Sequence, residues 1–393
     1  MTPVSGRFRR PGAGGGLVFA ALAIWSLSNY AFFFLAGREL GPAQFGLVSA
    51  LVAVPVIVSV PCNALQYGIA RAETGTGGEA VYPRAFRAAL RGGALVVAVG
   101  GLAVAAAEWL DPSVPAAPLL LTVGAVAALP PLFLALGRAQ GRRRFADYAL
   151  GFVVWGLSRP LGLLVLFALG LGVSGAVGAS TLSIVLGAVV AAALVGGRGR
   201  ATAPTAEVWQ AFRDSLAPVS VGLAAVAILT NLDVVAAKLL LSADDAGYYG
   251  AASVLGKAVV LLPQTIALVT LPDVADRAAR GAHGARGLGM ALAASIILGG
   301  LAAVAALPLA DPVVRIAFGS DFLPAAPLVP LLVLAGTLLG LALVVVTYRA
   351  ARAEYGFLWS AGAVSLLFPA ILALVASTPR EIAVVTIAFG VVV

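Results

Sequence analysis

Residues 231–272 read NLDVVAAKLLLSADDAGYYGAASVLGKAVVLLPQTIALVTLP, two long apolar runs flanking the acidic turn Ser242-Ala243-Asp244-Asp245-Ala246-Gly247. Each run is long enough to cross a bilayer as a helix, which takes about 20 residues. Each also carries charge: Asp233 and Lys238 in the first, Lys257 in the second. These are the only two lysines in the chain. Ionisable groups at membrane depth are costly and mark functional candidates. Tyr249, Ser253, Lys257 and Gln264 recur at helical intervals and share one face of the second run. Counted from the acidic turn, Asp233 and Lys257 lie at similar depth, and the spacing predicts a charge pair facing the bundle interior.

The rest of the chain has the same character. Of its 393 residues, 61% are hydrophobic and 11% charged, with mean hydropathy +1.04. That is the composition of an all-α polytopic membrane protein. Hydropathy gives about twelve spans, with cores at 17–36, 45–69, 88–107, 116–137, 147–169, 175–195, 217–241, 247–271, 288–309, 325–347, 357–376 and 382–393. The last is short for a crossing, so either the chain is truncated there or the final helix is partial. Nineteen of the 25 cations fall at the N-terminus or in alternate connections, and only Arg38, Arg315 and Arg380 fall in the opposite ones. By the positive-inside rule both termini are cytoplasmic. The net charge of +8 is therefore a topology signal and not a nucleic-acid surface. Arg7, Arg9 and Arg10 precede an apolar run without a convincing cleavage site, so the first helix is expected to be retained. Arginine far outnumbers lysine, and alanine and glycine abound, as in a GC-rich bacterial genome. The expected location is the bacterial cytoplasmic membrane.

The chain repeats at half its length. Asn29, an apolar run, Arg38 and Gly41-Pro42-Ala43-Gln44-Phe45-Gly46 are echoed by Asn231, an apolar run, Lys238 and Ser242-Ala243-Asp244-Asp245-Ala246-Gly247. Gly46 matches Gly247, Pro61 matches Pro263, Pro160 matches Pro369, and Arg138-Ala139-Gln140-Gly141-Arg142 matches Arg349-Ala350-Ala351-Arg352. Six spans per half make this a parallel repeat, the plan of many secondary transporters, whose sites lie between the halves near the midplane. The expected lobes are 1–200 and 201–393, around a central cavity. Val208, Trp209, Phe212 and Leu216 predict a short amphipathic linker helix in the headgroup layer.

The candidate lining is polar and cationic. It comprises Asn29, Asn63, Gln66 and Arg159 from the first lobe, and Asn231, Asp233, Lys238, Ser253, Lys257 and Gln264 from the second. Arg159 sits near mid-span, where it makes either an interhelical bond or an anion contact in the cavity. Lys238 lies close enough to the acidic turn to snorkel. Arg84, Arg87 and Arg91 form one stripe, either headgroup contacts or a cytoplasmic loading patch for a phosphate-bearing lipid. Prolines within spans permit kinks. Gly170-Leu171-Gly172-Val173-Ser174-Gly175 matches a dinucleotide fingerprint but lacks the strand that motif needs. Gly250 to Lys257 has the wrong spacing for a phosphate loop. Cys62 and His283 are each single in the chain, so no metal cluster or disulfide framework is expected. No catalytic constellation or cofactor motif is present, and an enzyme is not expected.

Asn29 to Arg71, with its Arg-Glu-Leu-Gly-Pro-Ala-Gln-Phe-Gly run, and Asn231 to Arg277, with Leu-Asp-x-x-x-Ala-Lys and Ala-Gly-x-Tyr-x-Ala-Ala, carry a family resemblance. The sequence resembles the polysaccharide exporters and lipid-linked oligosaccharide flippases of the multidrug/oligosaccharidyl-lipid/polysaccharide superfamily. The resemblance implies two six-helix lobes in a V around a cavity. It also implies export of a lipid-linked glycan, for instance one on undecaprenyl pyrophosphate, with membrane lipids as the other partner. The sequence leaves the oligomeric state open, and a monomer is compatible with it. The first lobe is poorer in deep charge than the resemblance leads one to expect. Two other readings stand beside the exporter: an ion-coupled drug antiporter, which favours an acidic cavity, and a membrane glycan polymerase or glycosyltransferase, which usually needs a sizeable aqueous domain.

Overall fold

The computed structural model describes residues 13–74, 80–196, 204–260, 285–351 and 355–392. Among these residues the chain is helical throughout and has no strand. Helices α1 (Ala13–Thr74), α2 (Val81–Leu110), α3 (Ala116–Gly141), α4 (Phe145–Ala168) and α5 (Gly172–Val195) form the first half. The second contains α6 (Ala206–Leu240), α7 (Ala243–Gly256) and a 3-10 turn, Lys257–Val260. It continues with α8 (Ala285–Ala317), a 3-10 segment (Ser320–Leu328), α9 (Val329–Ala351), α10 (Tyr355–Ser365), α11 (Leu367–Val375) and α12 (Pro379–Val392). Nine helical stretches among the described residues are long and apolar enough to cross a membrane. The fold is that of an all-α polytopic membrane protein.

Several boundaries differ from the hydropathy reading, each for a physical reason. The expected connection 38–44 is a one-residue break in α1 at Gly41 (φ 68°, ψ 171°). That conformation is essentially restricted to glycine. Pro42 then opens the second arm, where its missing N–H has no partner to lose. The separate linker helix is instead the first turns of α6, which runs unbroken for 35 residues from an N-cap at Thr205. Its aromatic side docks on protein: Phe212 is buried among α1–α5, with Val208, Trp209 and Leu216 packed beside it. The expected span 247–271 is not one helix. α7 ends at Gly256, where α9 presses so close that an added Cβ would stand 2.5 Å from the Leu332 Cβ. Residues 261–271 lie outside the described residues. The eleventh span is broken between α10 and α11, because Pro369 removes the N–H that would bond Ser365 and crowds its carbonyl. α8 extends through much of the expected loop 311–324, and Gly319 (φ 103°) makes the turn into the 3-10 segment.

Burial separates two large cores. One is built on Leu129, Leu132, Phe133, Phe152, Trp155 and Ile184 of the first half and takes in Phe212 from α6 of the second. The other joins the halves, bringing Phe32, Phe45 and Val48 together with Leu229, Tyr249, Phe318 and Phe322. The exposed faces of α2 (Leu95, Val97, Leu102) and α8 (Ile297, Leu301, Val304) are apolar, as surfaces turned to lipid are. The two glycines matched by the repeat meet at the junction. A Cβ on Gly46 would stand 2.8 Å from the Gly247 nitrogen, and one on Gly247 would stand 2.0 Å from the Pro42 oxygen. Only glycine allows backbones to approach this closely.

Candidate functional site

Next to that crossing, a cavity of about 150 Å³ lies between the halves. Asn29 and Phe33 come to it from the first arm of α1 and Ser49 from the second arm. Asn231 comes from α6, and Ser253 and Lys257 from α7 and its end. The two asparagines matched by the repeat thus face one space.

Behind the wall on one side is a fully buried carboxylate. Asp233 Oδ1 accepts from Lys257 Nζ at 2.7 Å, and Oδ2 accepts from the Tyr249 hydroxyl at 2.7 Å. The charge pair expected from sequence therefore forms. Tyr249, which was not among the residues expected to line the cavity, completes it from the position two turns before Lys257. Lys257 caps α7 where the α-helix gives way to a 3-10 turn, and that end carries its ammonium to the cavity wall. An isolated charge would be prohibitive here, and the pair with its third donor makes it tenable.

On the other side Arg159 stands behind Asn29. Its Nη1 donates to Asn29 Oδ1, and its guanidinium lies over the Phe32 ring at 4.0 Å and near Phe33 at 5.3 Å. Cation–π contacts of this kind offset part of the burial cost. Arg159 Nε and Nη2 are buried without a hydrogen-bond partner. Each such donor costs about 1–3 kcal/mol, and an unsatisfied buried group in a folded protein calls for a reason. Arg159 makes no ion pair among the described residues. The balance of three deep cations against one acid changes accordingly. Asp233 neutralises Lys257, and Lys238, half-exposed in the last turn of α6, is not part of the cavity wall. Arg159 remains as the uncompensated charge.

Other expected lining residues go elsewhere. Asn63 gives its amide to the Ser59 and Val60 carbonyls of its own helix. Gln66 is buried and bridges helices, donating to Gln140 Oε1 at 2.9 Å and to the Tyr148 hydroxyl at 3.2 Å. Neither borders the cavity. Asn231 stays at the cavity wall, where its amide donates to Ala227 O and Thr230 Oγ1. Gln264 and His283 lie outside the described residues. Arg84, Arg87 and Arg91 are exposed at one end of α2. Arg84 stacks 4.6 Å over Trp209, and Arg87 donates to its own Pro83 carbonyl.

Two features escaped the sequence reading. Arg138, a loop cation by hydropathy, is buried over the Tyr82 ring at 4.3 Å. Glu73, with its side chain 1% exposed, lies 3.2 Å from Arg138 and 2.8 Å from Arg142. A single acid at the end of an apolar helix in an otherwise arginine-rich region was the available signal. At the opposite end, Arg38 donates to the Ala317 and Ile316 carbonyls that end α8. Phe34, Phe45, Phe318 and Phe322 interlock beside it, with centroids 5.3–5.5 Å apart. This end is closed by aromatic packing between the halves.

No family model matches the sequence, and no curated protein matches it. The fold does have solved counterparts. A lipid II flippase, MurJ, in an inward closed conformation superposes with TM-score 0.73 at 13% identity, covering 95% of this chain and 85% of that one. An inward-facing multidrug resistance MATE family transporter of the MOP superfamily gives 0.68 at 14% identity, over 95% and 94%. A MOP superfamily transporter from Pyrococcus furiosus, described as having a binding pocket of reverse polarity that suggests a different function, gives 0.65 at 14% identity, over 96% and 91%. The chain has the fold these transporters share.

Proposed function

We propose that this chain exports an anionic, lipid-linked glycan across a bacterial cytoplasmic membrane by alternating access between two lobes, 1–200 and 201–393. The arginine-rich ends and both termini are cytoplasmic in this reading. The observation that carries it is Arg159: buried, without a carboxylate, and holding two unused donors directly behind a cavity-lining asparagine. A pyrophosphate presents several acceptor oxygens, and a guanidinium can grip two at once. Asn29, Asn231, Ser253 and Lys257 supply further polar groups around the same space. A glycan and its phosphates cannot cross about 30 Å of hydrocarbon unaided. A polar cavity replaces their hydration while the lipid tail stays in the bilayer. The MurJ counterpart is a flippase for a lipid-linked cargo by its name, which agrees with this choice. The drug-antiporter reading draws on the MATE counterparts, but a cationic drug needs a free acid, and Lys257 already occupies Asp233. No covalent step is required of any residue.

Reconstitution in liposomes tests the reading with two cargoes, a fluorescent polyprenyl-pyrophosphate glycan and a cationic dye. Arg159→Lys keeps the charge and loses the fork, so glycan flipping falls in part. Arg159→Ala lowers it at least tenfold, and dye movement is unchanged or faster. Full glycan flipping by Arg159→Ala in correctly inserted protein would refute the anion-site assignment.

A further inference from the structure

A second cavity, of about 460 Å³, lies at the Arg38 end of the second half, away from the junction. Its size falls within the ~300–1,000 Å³ of small-molecule sites. Leu307 of α8, Pro327 of the 3-10 segment and Leu331 of α9 make an apolar wall. Asp245 and Tyr248 of α7 and Arg380 of α12 supply the polar groups. Leu307 is 69% exposed on the apolar face of α8, so the cavity opens sideways toward lipid.

The charges are arranged for an occupant and not for each other. Arg380 and Asp245 line one space yet make no ion pair together. The acid beside Arg380 in sequence is committed elsewhere. Glu381 Oε2 accepts from the Ser377 amide at 2.7 Å, the Ser377 hydroxyl at 2.9 Å and the Thr378 amide at 3.0 Å. The Ser377 amide and hydroxyl hold its carboxyl below the usual range. This is a capping box, with Thr378 as the N-cap and Pro379 at the first helical position, and it fixes Arg380 in the first turn. Asp245 is held in the same manner: its Oδ2 accepts from the Ser242 hydroxyl at 2.7 Å, and its own amide donates back at 3.2 Å. Its Oδ1 is left over. One cation and one anion, each set on a capped first helical turn, therefore face a laterally open apolar cavity.

We propose that this cavity binds the headgroup of a zwitterionic phospholipid from the leaflet at the Arg38 end. The phosphate meets Arg380, the ammonium meets Asp245 beside Tyr248, and the acyl chains leave past Leu307 and Leu331. A headgroup carrying both signs matches both walls. A glycerol lipid carries the same phosphate charge but no cation, so it would leave Asp245 without a partner where neighbouring Asp244 and Asp321 already add to the negative field around Tyr248. The site shares no lining residue with the cavity between the halves, so it stands or falls independently of the cargo reading.

The test uses the full chain in nanodiscs of equimolar phosphatidylethanolamine and phosphatidylglycerol, with retained lipid counted by native mass spectrometry after detergent extraction. The wild type retains about one ethanolamine lipid per chain above background, in at least fivefold preference to the glycerol lipid. Arg380→Gln reduces this retention at least fivefold. Asp245→Asn keeps an oxygen for the Ser242 cap, so folding is preserved. It removes the carboxylate that meets the ammonium, and the preference moves toward the glycerol lipid. Arg71→Gln, at an exposed position of α1 with no lipid role assigned to it, changes nothing. Equal retention of both lipids by the wild type, or an unchanged preference in both cavity variants, overturns the proposal.

Discussion

Replacing Lys257 by Met should be the most damaging single change at the Asp233 pair. The asymmetry comes from exposure. The Asp233 side chain is fully buried, whereas 15% of the Lys257 side chain is exposed at a cavity wall. Without Asp233, the ammonium can turn into the cavity and keep some hydration. Without Lys257, the carboxylate keeps only the Tyr249 hydroxyl, a bond to a charged group contributing about 1.5–3 kcal/mol. Breaking a buried pair on one side costs about 3–5 kcal/mol. Lys257→Met belongs at the upper end of that range and Asp233→Asn at the lower. The double variant leaves no buried charge, and Tyr249 can still donate to the Asn side-chain oxygen. Exchanging a whole buried pair for neutral groups is often near neutral, so its loss should be ~1 kcal/mol. Thermal unfolding of detergent-solubilised protein, followed by fluorescence-detected size exclusion, ranks the four proteins. The expected order of stability is wild type, double variant, Asp233→Asn, Lys257→Met. A Lys257→Met protein as stable as the double variant would refute the pairing argument.

Three further outcomes follow from named contacts. Arg38→Gln should loosen the closed end by giving up the charged contacts to the α8 carbonyls, so a cysteine at Ser49 in a Cys62→Ser background should react several-fold faster with an impermeant thiol reagent added outside; an unchanged rate would remove Arg38 from the closure. Gly247→Ala forces a methyl to within 2.0 Å of a backbone oxygen and should cost more than the ~1–3 kcal/mol of ordinary overpacking, whereas Gly300→Ala, with open space around it, should be tolerated; equal yields of folded protein would contradict the crossing. Cysteines placed at Arg143 and Asp244, both exposed, should label from inside and outside respectively, and the reverse pattern would invert the topology.

The fold was legible because a membrane span is a composition signal. About 20 apolar residues read the same way whatever they pack against. Packing, which hydropathy does not register, decided where helices break. α7 ends at Gly256 with α9 packed against it, whereas Gly250, crowded at the same 2.5 Å by Ser49, continues the helix; hydropathy registers neither. Gly41 was legible only as part of a Gly-Pro turn; that a break of one residue would suffice was not. At the site, Asp233 and Lys257 could be paired from spacing because both lie close in sequence to one turn. Asn29 and Asn231 emerged from the repeat. Gln66 and Asn63 depart from expectation because a shared helical face does not say which neighbour it meets. Gln66 found Gln140 and Tyr148, and Asn63 turned back on its own carbonyls. Glu73 was illegible for the converse reason: an acid at a helix end looks solvated until Arg138 and Arg142 arrive from 65 or more residues away.

The distribution of polar contacts bears on how such a cavity could work. A volume of about 150 Å³ is half of the ~300 Å³ at which ligand sites begin, so a sugar-bearing cargo requires the halves to part. The buried polar arrangements do not resist this. Arg159 with Asn29 and Phe32 lies within the first half, and Asp233 with Lys257 and Tyr249 lies within the second. Each can travel as a unit, and no buried charge need be exposed alone during the motion. The contacts that span the junction near the Arg38 end are aromatic rings, glycine-mediated backbone packing and the Arg38 bonds to α8. Apolar contacts are non-directional and can re-form at another angle, and Arg38 is exposed enough to exchange its carbonyl partners for water. In the proposed mechanism, rocking changes the separation of Arg159 from Lys257, and with it the span of anion the cavity would hold, while leaving each half's internal bonds intact.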